Sequence, residues 1–137
     1  MVTFEANNLT VDQYLYLRSR VEWKQLSREQ AQKALDNSLY VLAAYHNGDL
    51  VGMGRLVGDA AVICYIQDLI VDPSIQNHGI GTSLLRMLTE EAESMGIPGT
   101  TLMLDLMCAK GREHFYINRG FMPRPNDELG PGRIRYL

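Results

Sequence analysis

The chain has 137 residues, a length that fits one domain with a single core. Its net charge of -3 and the lack of any basic cluster argue against a nucleic-acid surface, because proteins that bind phosphate backbones carry basic stripes. No apolar run approaches the roughly 20 residues that a membrane-spanning helix needs, and the N-terminus lacks the basic-then-apolar pattern of a signal peptide. We therefore expect a single cytoplasmic domain over residues 1–137, with neither nucleic acid nor a membrane as a partner.

The cysteines and histidines do not form a recognisable site. Cys64 and Cys108 are too few for a disulfide framework and lie in apolar stretches, so we interpret each as a small buried hydrophobe. His46, His78 and His114 are dispersed, and no Cys/His group has metal-ligand spacing. The sequence therefore predicts no metal site.

The first half of the chain predicts a short strand, two helices and three antiparallel strands. The strand is expected near residues 2–5 and the first helix at about 11–22. The second helix begins at Ser27, where S-R-E-Q has the spacing of a capping box, and ends near Asn37. Asn47-Gly48 is a strong hairpin signal, and Gly58-Asp59 is a second turn. The three predicted strands cover residues 39–46, 50–57 and 61–71.

The second half predicts a strand-helix-strand unit and a terminal pair of strands. A helix at about 80–94 ends at Gly96, with Pro98 beyond it. The next strand, at about 100–107, is expected to run parallel to the 61–71 strand, because the crossover between them is a helix. A helix at about 110–118, ended by Gly120, and two short strands complete the chain. Those two strands are predicted at 121–124 and 133–136.

The stretch I-Q-D-L-I-V-D-P-S-I-Q-N-H-G-I-G-T-S-L-L, residues 66–85, is the most informative motif. An apolar strand runs into a glycine loop, and an amphipathic helix follows at once. The first N–H groups of a helix have no partner within it and carry roughly half a positive charge, and glycines let a bulky anion approach. The pattern predicts a cradle for phosphate or pyrophosphate. An ordinary glycine-rich turn between a strand and a helix is the alternative.

Two common phosphate loops are excluded by named residues. A Walker loop needs a lysine after its second glycine, whereas Thr82 follows Gly81. A dinucleotide fold needs a third glycine in G-x-G-x-x-G, and Leu84 occupies that position.

The loop Gln76-x-x-Gly79-x-Gly81 resembles the signature [RQ]-x-x-G-x-[GA] of the GNAT superfamily, the acyl-CoA-dependent N-acyltransferases. The order of predicted elements agrees with that resemblance over nearly the whole chain. The resemblance implies an α/β (α+β) fold, in which helices flank a mixed, mainly antiparallel sheet with a splayed parallel strand pair at the coenzyme site. It also implies acetyl-CoA as co-substrate, an amine acceptor and no metal.

The same resemblance implies which residues bind the coenzyme. The backbone of Leu69, Ile70 and Val71 would hold the pantetheine arm, although composition alone leaves open a fully paired central strand. The pyrophosphate would be held by the loop and the start of the helix. The residues concerned there are Gln76, Asn77, His78, Gly79, Ile80, Gly81 and Thr82.

A second motif, A-K-G-R-E-H-F-Y-I-N-R-G-F, resembles the late motif of the same family. The resemblance implies that Tyr116 protonates the departing thiolate; a buried core tyrosine is the alternative. The chain departs from the family at Ala109, where many members have an asparagine that holds the pantetheine. A backbone group near Lys110, or Lys110 itself reaching a coenzyme phosphate, is expected to take its place, and a solvated helix-end lysine is the alternative.

No general base for the amine is evident. The positions that carry Glu or His in family members that use a base are Gln67 and Tyr65 here, and each could hold a water that relays a proton. Asp68 has the opposite strand parity, so we expect it to face away from Gln67 and to pair with an arginine such as Arg55.

The acceptor side of the site is expected between the first two helices. Glu22 and Trp23 are the candidates there, because that region usually walls the acceptor site in the family. A tryptophan that only packs against the helix end is the alternative.

Two functions from different classes follow from the sequence. The first is an N-acetyltransferase that moves an acetyl group from acetyl-CoA to a primary amine of a small molecule or peptide by direct attack in a ternary complex. The second is a catalytically weak acyl-CoA-binding sensor or partner-binding module on the same fold. Acetylation of protein lysines would require an open groove. A homodimer is expected to form through the C-terminal strands.

Overall fold

The computed structural model describes residues 1–137 and contains five strands, four α-helices and one 3-10 turn. The strands are β1 (Val2–Ala6), β2 (Tyr40–His46), β3 (Asp49–Gly58), β4 (Ile63–Val71) and β5 (Met103–Leu106). The helices are α1 (Val11–Arg20), α2 (Arg28–Asp36), α3 (Ile80–Met95) and α4 (Glu113–Ile117), and the 3-10 turn is Pro73–Ile75. The chain divides into two compact units, Met1–Leu106 and Met107–Leu137. The single domain over 1–137 stays a prediction.

The first unit contains one mixed sheet with the strand order β1-β2-β3-β4-β5. The first three pairs of neighbours are antiparallel, and β4 and β5 are parallel. The predicted fold class, a mainly antiparallel sheet with one parallel pair and flanking helices, is therefore confirmed. The β2–β3 turn is also confirmed: Asn47 and Gly48 both have positive φ, +52° and +89°, as a tight two-residue hairpin requires.

Helices α1 and α2 cover one face of the sheet. Tyr14 and Leu17 of α1 are buried together with Met53 of β3 and Ile70 of β4 in one apolar cluster. Met53 and Ile70 are direct cross-strand partners, and such partners point to the same face. This face also holds Arg55, two residues along β3 from Met53.

Helix α3 covers the opposite face. Gly52 and Gly54 alternate with Met53, so they point toward α3, and they allow the helix to lie close to the sheet. A Cβ at Gly54 would stand 2.5 Å from Cδ1 of Leu88, and one at Gly52 would stand 2.8 Å from the carbonyl oxygen of Ile70. The buried stripe of α3 consists of Ile80, Leu84, Leu85, Leu88 and Ala92.

Several element boundaries differ from the sequence prediction for local reasons. Strand β4 begins at Ile63 and not at residue 61, because the Asp59 carboxylate accepts hydrogen bonds from the N–H groups of Ala61, Val62 and Ile63 at 2.9–3.0 Å and holds a turn there. Helix α1 ends at Arg20, and Glu22 beyond it has a φ of +58°.

The helix caps were predicted only in part. Ser27 accepts a hydrogen bond from Gln30 N at 3.0 Å, which confirms the predicted cap of α2. The complete reciprocal capping box stands instead at the start of α1. There Thr10 Oγ1 accepts from Gln13 N, and Gln13 Oε1 accepts from Thr10 N.

The second unit contains α4 followed by irregular chain. The two short strands predicted at 121–124 and 133–136 are not formed, so that prediction is wrong. Prolines at 123, 125 and 131 lack the N–H that a strand ladder needs. Asn126 closes a local loop instead, with its N donating to Leu129 O at 2.8 Å. The homodimer stays a prediction, without the strands on which it was based.

Candidate functional site

Strand β4 has two neighbouring strands over its first half and only one over its second half. Its first four residues, from Ile63 to Ile66, pair with β5, and the ladder ends there because β5 ends at Leu106. The remaining residues, up to Val71, stay paired with β3. The backbone of Leu69, Ile70 and Val71 therefore lies beyond the parallel pairing, which is the arrangement expected of a splayed strand pair.

A β-bulge stands at the point where the two strands part. Met53 pairs with Ile70 and Arg55 pairs with Gln67, so that Asp68 and Leu69 together oppose Gly54. Asp68 has a φ of +56°, a value that is uncommon for a residue with a side chain. The bulge directs the Asp68 side chain toward α1.

The prediction that Asp68 faces away from Gln67 is wrong, because strict alternation does not hold across a bulge. Gln67 Nε2 lies 3.5 Å from Asp68 Oδ1. The predicted pairing with Arg55 is confirmed, since Arg55 Nε donates to Asp68 Oδ2 at 2.8 Å.

Asp68 is the centre of a buried polar cluster that sequence reasoning found only in part. Its carboxylate also accepts from the Tyr14 hydroxyl at 2.5 Å and from Arg18 Nη1 at 2.9 Å. The side chain of Asp68 is fully buried, and those of Arg18 and Arg55 are 12% exposed. Two signals could have found the missing partners. An acid within an apolar strand needs a buried cation, and Tyr14 and Arg18, four residues apart, share one face of α1.

The Asp68 cluster also raises the pKa of Tyr14. Burial, followed by the charge of Asp68 and the hydrogen bond to it, raises the pKa of Tyr14 to about 12. The phenol therefore stays protonated and acts as a donor throughout the physiological pH range.

A rigid turn connects β4 to the glycine loop. Asp72 is buried, caps the 3-10 turn by accepting from Ser74 N at 2.9 Å, and accepts from Arg20 at 2.8 and 3.1 Å. The Arg20 guanidinium, assisted by the Ser74 donors, holds the pKa of the Asp72 carboxyl well below its usual range. Gln76 Nε2 then donates to Val71 O at 3.2 Å, so this side chain ties the loop back to the strand.

The glycine loop leads into α3 through left-handed backbone. Asn77 and Gly79 have φ values of +69° and +76°, and Gly79 is the N-cap residue of α3. A Cβ at Gly79 would meet nothing within 4 Å, so the space in front of the helix is open. No side chain caps α3, and its first turn contains no acid. The backbone N–H groups of Ile80, Gly81 and Thr82 are in this first turn, and a helix start of this kind favours an anion.

The side chains predicted to bind the coenzyme from the loop differ in exposure. His78 is exposed. The side chain of Ile80 is buried under the sheet, so only its backbone N–H is available to a ligand. Gln67 and Tyr65, the positions where a base could stand, are half-buried.

Tyr116 and Lys110 belong to the second unit. Lys110 is exposed in the turn before α4. Tyr116 is half-buried between two rings, with edge-on contacts to Phe115 at 5.0 Å and to Phe121 at 5.9 Å between centroids. Burial, with a smaller contribution from Cys108, raises the pKa of the Tyr116 phenol, so that it carries its proton at neutral pH.

The loop between α1 and α2 presents an aromatic ring beside a cation. Trp23 is 37% exposed, and the Arg18 guanidinium carbon lies 5.6 Å from the centroid of its ring. Arg18 Nη2 also donates to the carbonyl oxygen of Lys24 at 2.7 Å, which fixes the loop to α1.

Two further findings concern metal ions and membranes. No group of three or more His, Cys, Asp or Glu side chains is arranged to hold a metal ion. None of the helices combines the length and the apolar character that crossing a membrane would need.

Comparison with known proteins agrees with this geometry. Residues 6–121 match the model of the Acetyltransferase (GNAT) family. The chain is 31% identical over 126 residues to the histone acetyltransferase TAP1 of Glycine max, a match that covers 83% of this chain and 52% of that protein. It is 28% identical over 110 residues to the aminoalkylphosphonate N-acetyltransferase of Salmonella typhimurium, covering 77% of this chain and 71% of that one.

Among solved structures, a Staphylococcus aureus protein of unknown function, described as a probable acetyltransferase, superposes with a TM-score of 0.86 at 26% identity. That match covers 99% of this chain and all of the other. The chain spans 52%, 61% and 46% of the lengths of the first three curated relatives. Since the family model covers most of its residues, the chain belongs to the GNAT acetyltransferase family.

Proposed function

We propose that the protein is an N-acetyltransferase that moves the acetyl group of acetyl-CoA to a primary amine of a small molecule or peptide. The observation that carries this proposal is the continuity of β4, the glycine loop and α3. Beyond its pairing with β5, strand β4 continues through the 3-10 turn and the glycine loop into a helix start that no side chain caps. The first feature suits an extended thioester arm, and the second suits its pyrophosphate.

The backbone of Leu69, Ile70 and Val71 is proposed to bind the pantetheine arm. The loop from Gln76 to Thr82 is proposed to bind the pyrophosphate. In this assignment Gln76 shapes the loop through its bond to Val71 O, and Gly79 keeps the approach to the helix open. Lys110 is the proposed contact to a coenzyme phosphate.

The chemistry is proposed to be direct attack in a ternary complex. The amine nitrogen attacks the thioester carbonyl carbon, the carbon–sulfur bond breaks, and the sulfur leaves as a thiolate that takes the Tyr116 hydroxyl proton. A protonated phenol with a raised pKa is suited to that donation. The attacking nitrogen loses its proton to solvent or to a water held at Gln67, since neither Gln67 nor Tyr65 is a good base.

The decisive experiment measures thiol release from acetyl-CoA in the presence of a panel of primary amines, with mass spectrometry of the amine product. Acetyl-CoA binding is measured on the same preparation by calorimetry. Acetylated amine in stoichiometric amount with released thiol supports the proposal. Thiol release that no amine accelerates would contradict it.

A second candidate function is a catalytically weak sensor of acyl-CoA. It is favoured by the absence of a base at Gln67 and Tyr65, by the engagement of Asp68 with two arginines, and by Ala109 at the position of the family asparagine. Tight coenzyme binding without transfer to any amine would distinguish the sensor from the enzyme.

A further inference from the structure

The Asp68 cluster contains one more cation than anion. Arg18 and Arg55 both donate to the single Asp68 carboxylate, and Tyr14 contributes a neutral hydroxyl. Two guanidinium groups that are 12% exposed therefore share one fully buried counter-charge. Because charges that leave water are costly unless they are matched, a net charge of +1 at this depth calls for a further anion.

Arg18 leaves more of its N–H donors without acceptors than Arg55 does. A guanidinium carries five N–H groups. Two of those on Arg18 have acceptors, namely Asp68 Oδ1 and Lys24 O, while its Nε is buried without any acceptor. Arg55, in contrast, donates to Asp68, Ser38 and Ala34. A buried donor without an acceptor costs about 1–3 kcal/mol, so its retention calls for an explanation.

The position of Arg18 relates these donors to the proposed reaction. Its guanidinium carbon lies 5.9 Å from the centroid of the Tyr14 ring and 5.6 Å from that of the Trp23 ring. Trp23 is 37% exposed, so one of the two rings beside the guanidinium reaches solvent in the loop between α1 and α2. The cluster is attached through Asp68 to the face of β4 that carries Gln67, opposite the face covered by α3, and Asp68 precedes the proposed thioester-binding residue Leu69.

We propose that the acceptor amine carries a small anionic group, a carboxylate or a phosphonate, and that Arg18 binds that group beside the Trp23 ring. This inference rests on the proposed function and makes Arg18 a specificity-determining residue. The planar fork of a guanidinium matches either oxyanion through two parallel hydrogen bonds. Binding there holds the amine on the Gln67 face of β4, next to the thioester.

The first test uses the wild-type protein with acetyl-CoA and matched acceptors. Each set contains an amine with a carboxylate, the same amine with a phosphonate, and the same amine as a neutral amide. We expect KM for at least one anionic acceptor to be lower than for the amide by about tenfold or more, the effect of one charge-assisted hydrogen bond. Comparison of KM between the carboxylate acceptor and the phosphonate acceptor shows which of the two anionic groups the site binds.

The second test uses Arg18→Gln and its matched control, Arg28→Gln, which removes an exposed cation at the start of α2. We expect Arg18→Gln to raise KM for the anionic acceptor by about tenfold or more, with KM for the amide and for acetyl-CoA nearly unchanged. Arg28→Gln should change none of the three. Arg18→Lys keeps the charge without the fork, so it should fall between wild type and Arg18→Gln, and it replaces Arg18→Gln if that variant does not fold.

The outcomes separate this inference from the proposed function. Equal KM values for the anionic and neutral acceptors of the wild type would overturn the inference while leaving the acetyltransferase intact. An equal loss on all acceptors in the folded Arg18 variants would also overturn it, because that result reveals a purely structural arginine. Coenzyme binding without acetylation of any amine would overturn the proposed function, and this inference with it.

Discussion

Arg55 Nε donates to Asp68 Oδ2 at 2.8 Å, and this bond joins β3 to β4 at the residue where β4 bulges. Asp68 adopts a φ of +56° there, and the same carboxylate accepts from Tyr14 and Arg18 of α1. An unusual backbone conformation persists only where its surroundings hold it. The arginines and the tyrosine therefore stabilise the bulge from which the proposed coenzyme strand continues.

Replacing Asp68 by Asn should destabilise the fold strongly. The variant leaves Arg18 and Arg55 without their counter-charge, and breaking a buried ion pair in this way costs about 3–5 kcal/mol. The measurement is the free energy of unfolding in urea. Asp12→Asn is the matched control, because Asp12 pairs with Arg28 on the surface, where both side chains are more than half exposed, and such pairs contribute about 0–1 kcal/mol. Equal losses in the two variants would contradict the central role of Asp68.

Replacing Gly81 by Glu should abolish coenzyme binding. The change places a carboxylate in the first turn of α3, against the proposed pyrophosphate, and we expect the acetyl-CoA affinity to fall by at least about tenfold, or 1.4 kcal/mol. The fold should survive, since glutamate has a better helix propensity than glycine. Calorimetry measures the affinity, and thermal unfolding checks the fold. Gly130→Glu adds the same charge at an exposed glycine of the second unit and should bind normally. Retained affinity in Gly81→Glu would refute the cradle.

Replacing Tyr116 by Phe should lower turnover and leave acetyl-CoA affinity nearly intact. Loss of a general acid typically reduces the rate by about a hundredfold or more. Because burial raises the pKa of the phenol, the wild-type kcat should fall only in strongly alkaline solution, and this fall should be absent from the variant. Tyr16→Phe, which changes an exposed tyrosine of α1, is the control. Identical pH profiles for wild type and Tyr116→Phe would remove Tyr116 from the acid role.

The parts of the fold that depend on local signals could be predicted from the sequence. Asn47-Gly48 fixes the hairpin, and the glycines at 79 and 81 mark the loop before α3, because each signal acts on its own backbone. Of the Asp68 cluster, only the pairing with Arg55 was predicted. Its other members lie 54 and 50 residues away in the chain, and strand parity fails at a bulge. The prediction of two C-terminal strands was wrong because prolines at 123, 125 and 131 lack the N–H groups that a strand ladder needs.

The titration of Tyr14 provides a test of the buried cluster that needs no ligand. The pKa of Tyr14 is about 12 in the folded protein, whereas tyrosine in an unfolded chain titrates near 10. The folded state therefore holds the Tyr14 proton more tightly than the unfolded chain does. The protonated phenol makes its full contribution to the free energy of unfolding below pH 10, and this contribution is lost as the pH rises toward 12.

The measurement is urea unfolding at a series of pH values between 9 and about 12, compared between wild type and Tyr14→Phe. Tyr40 and Tyr116 also have raised pKa values, and their contributions cancel in this comparison. We expect Tyr14→Phe to be less stable than wild type at neutral pH, because it lacks the hydrogen bond to Asp68, and the gap to narrow steadily above pH 10. A gap that stays constant to the end of the series would show that Tyr14 releases its proton as easily in the folded protein as in the unfolded chain.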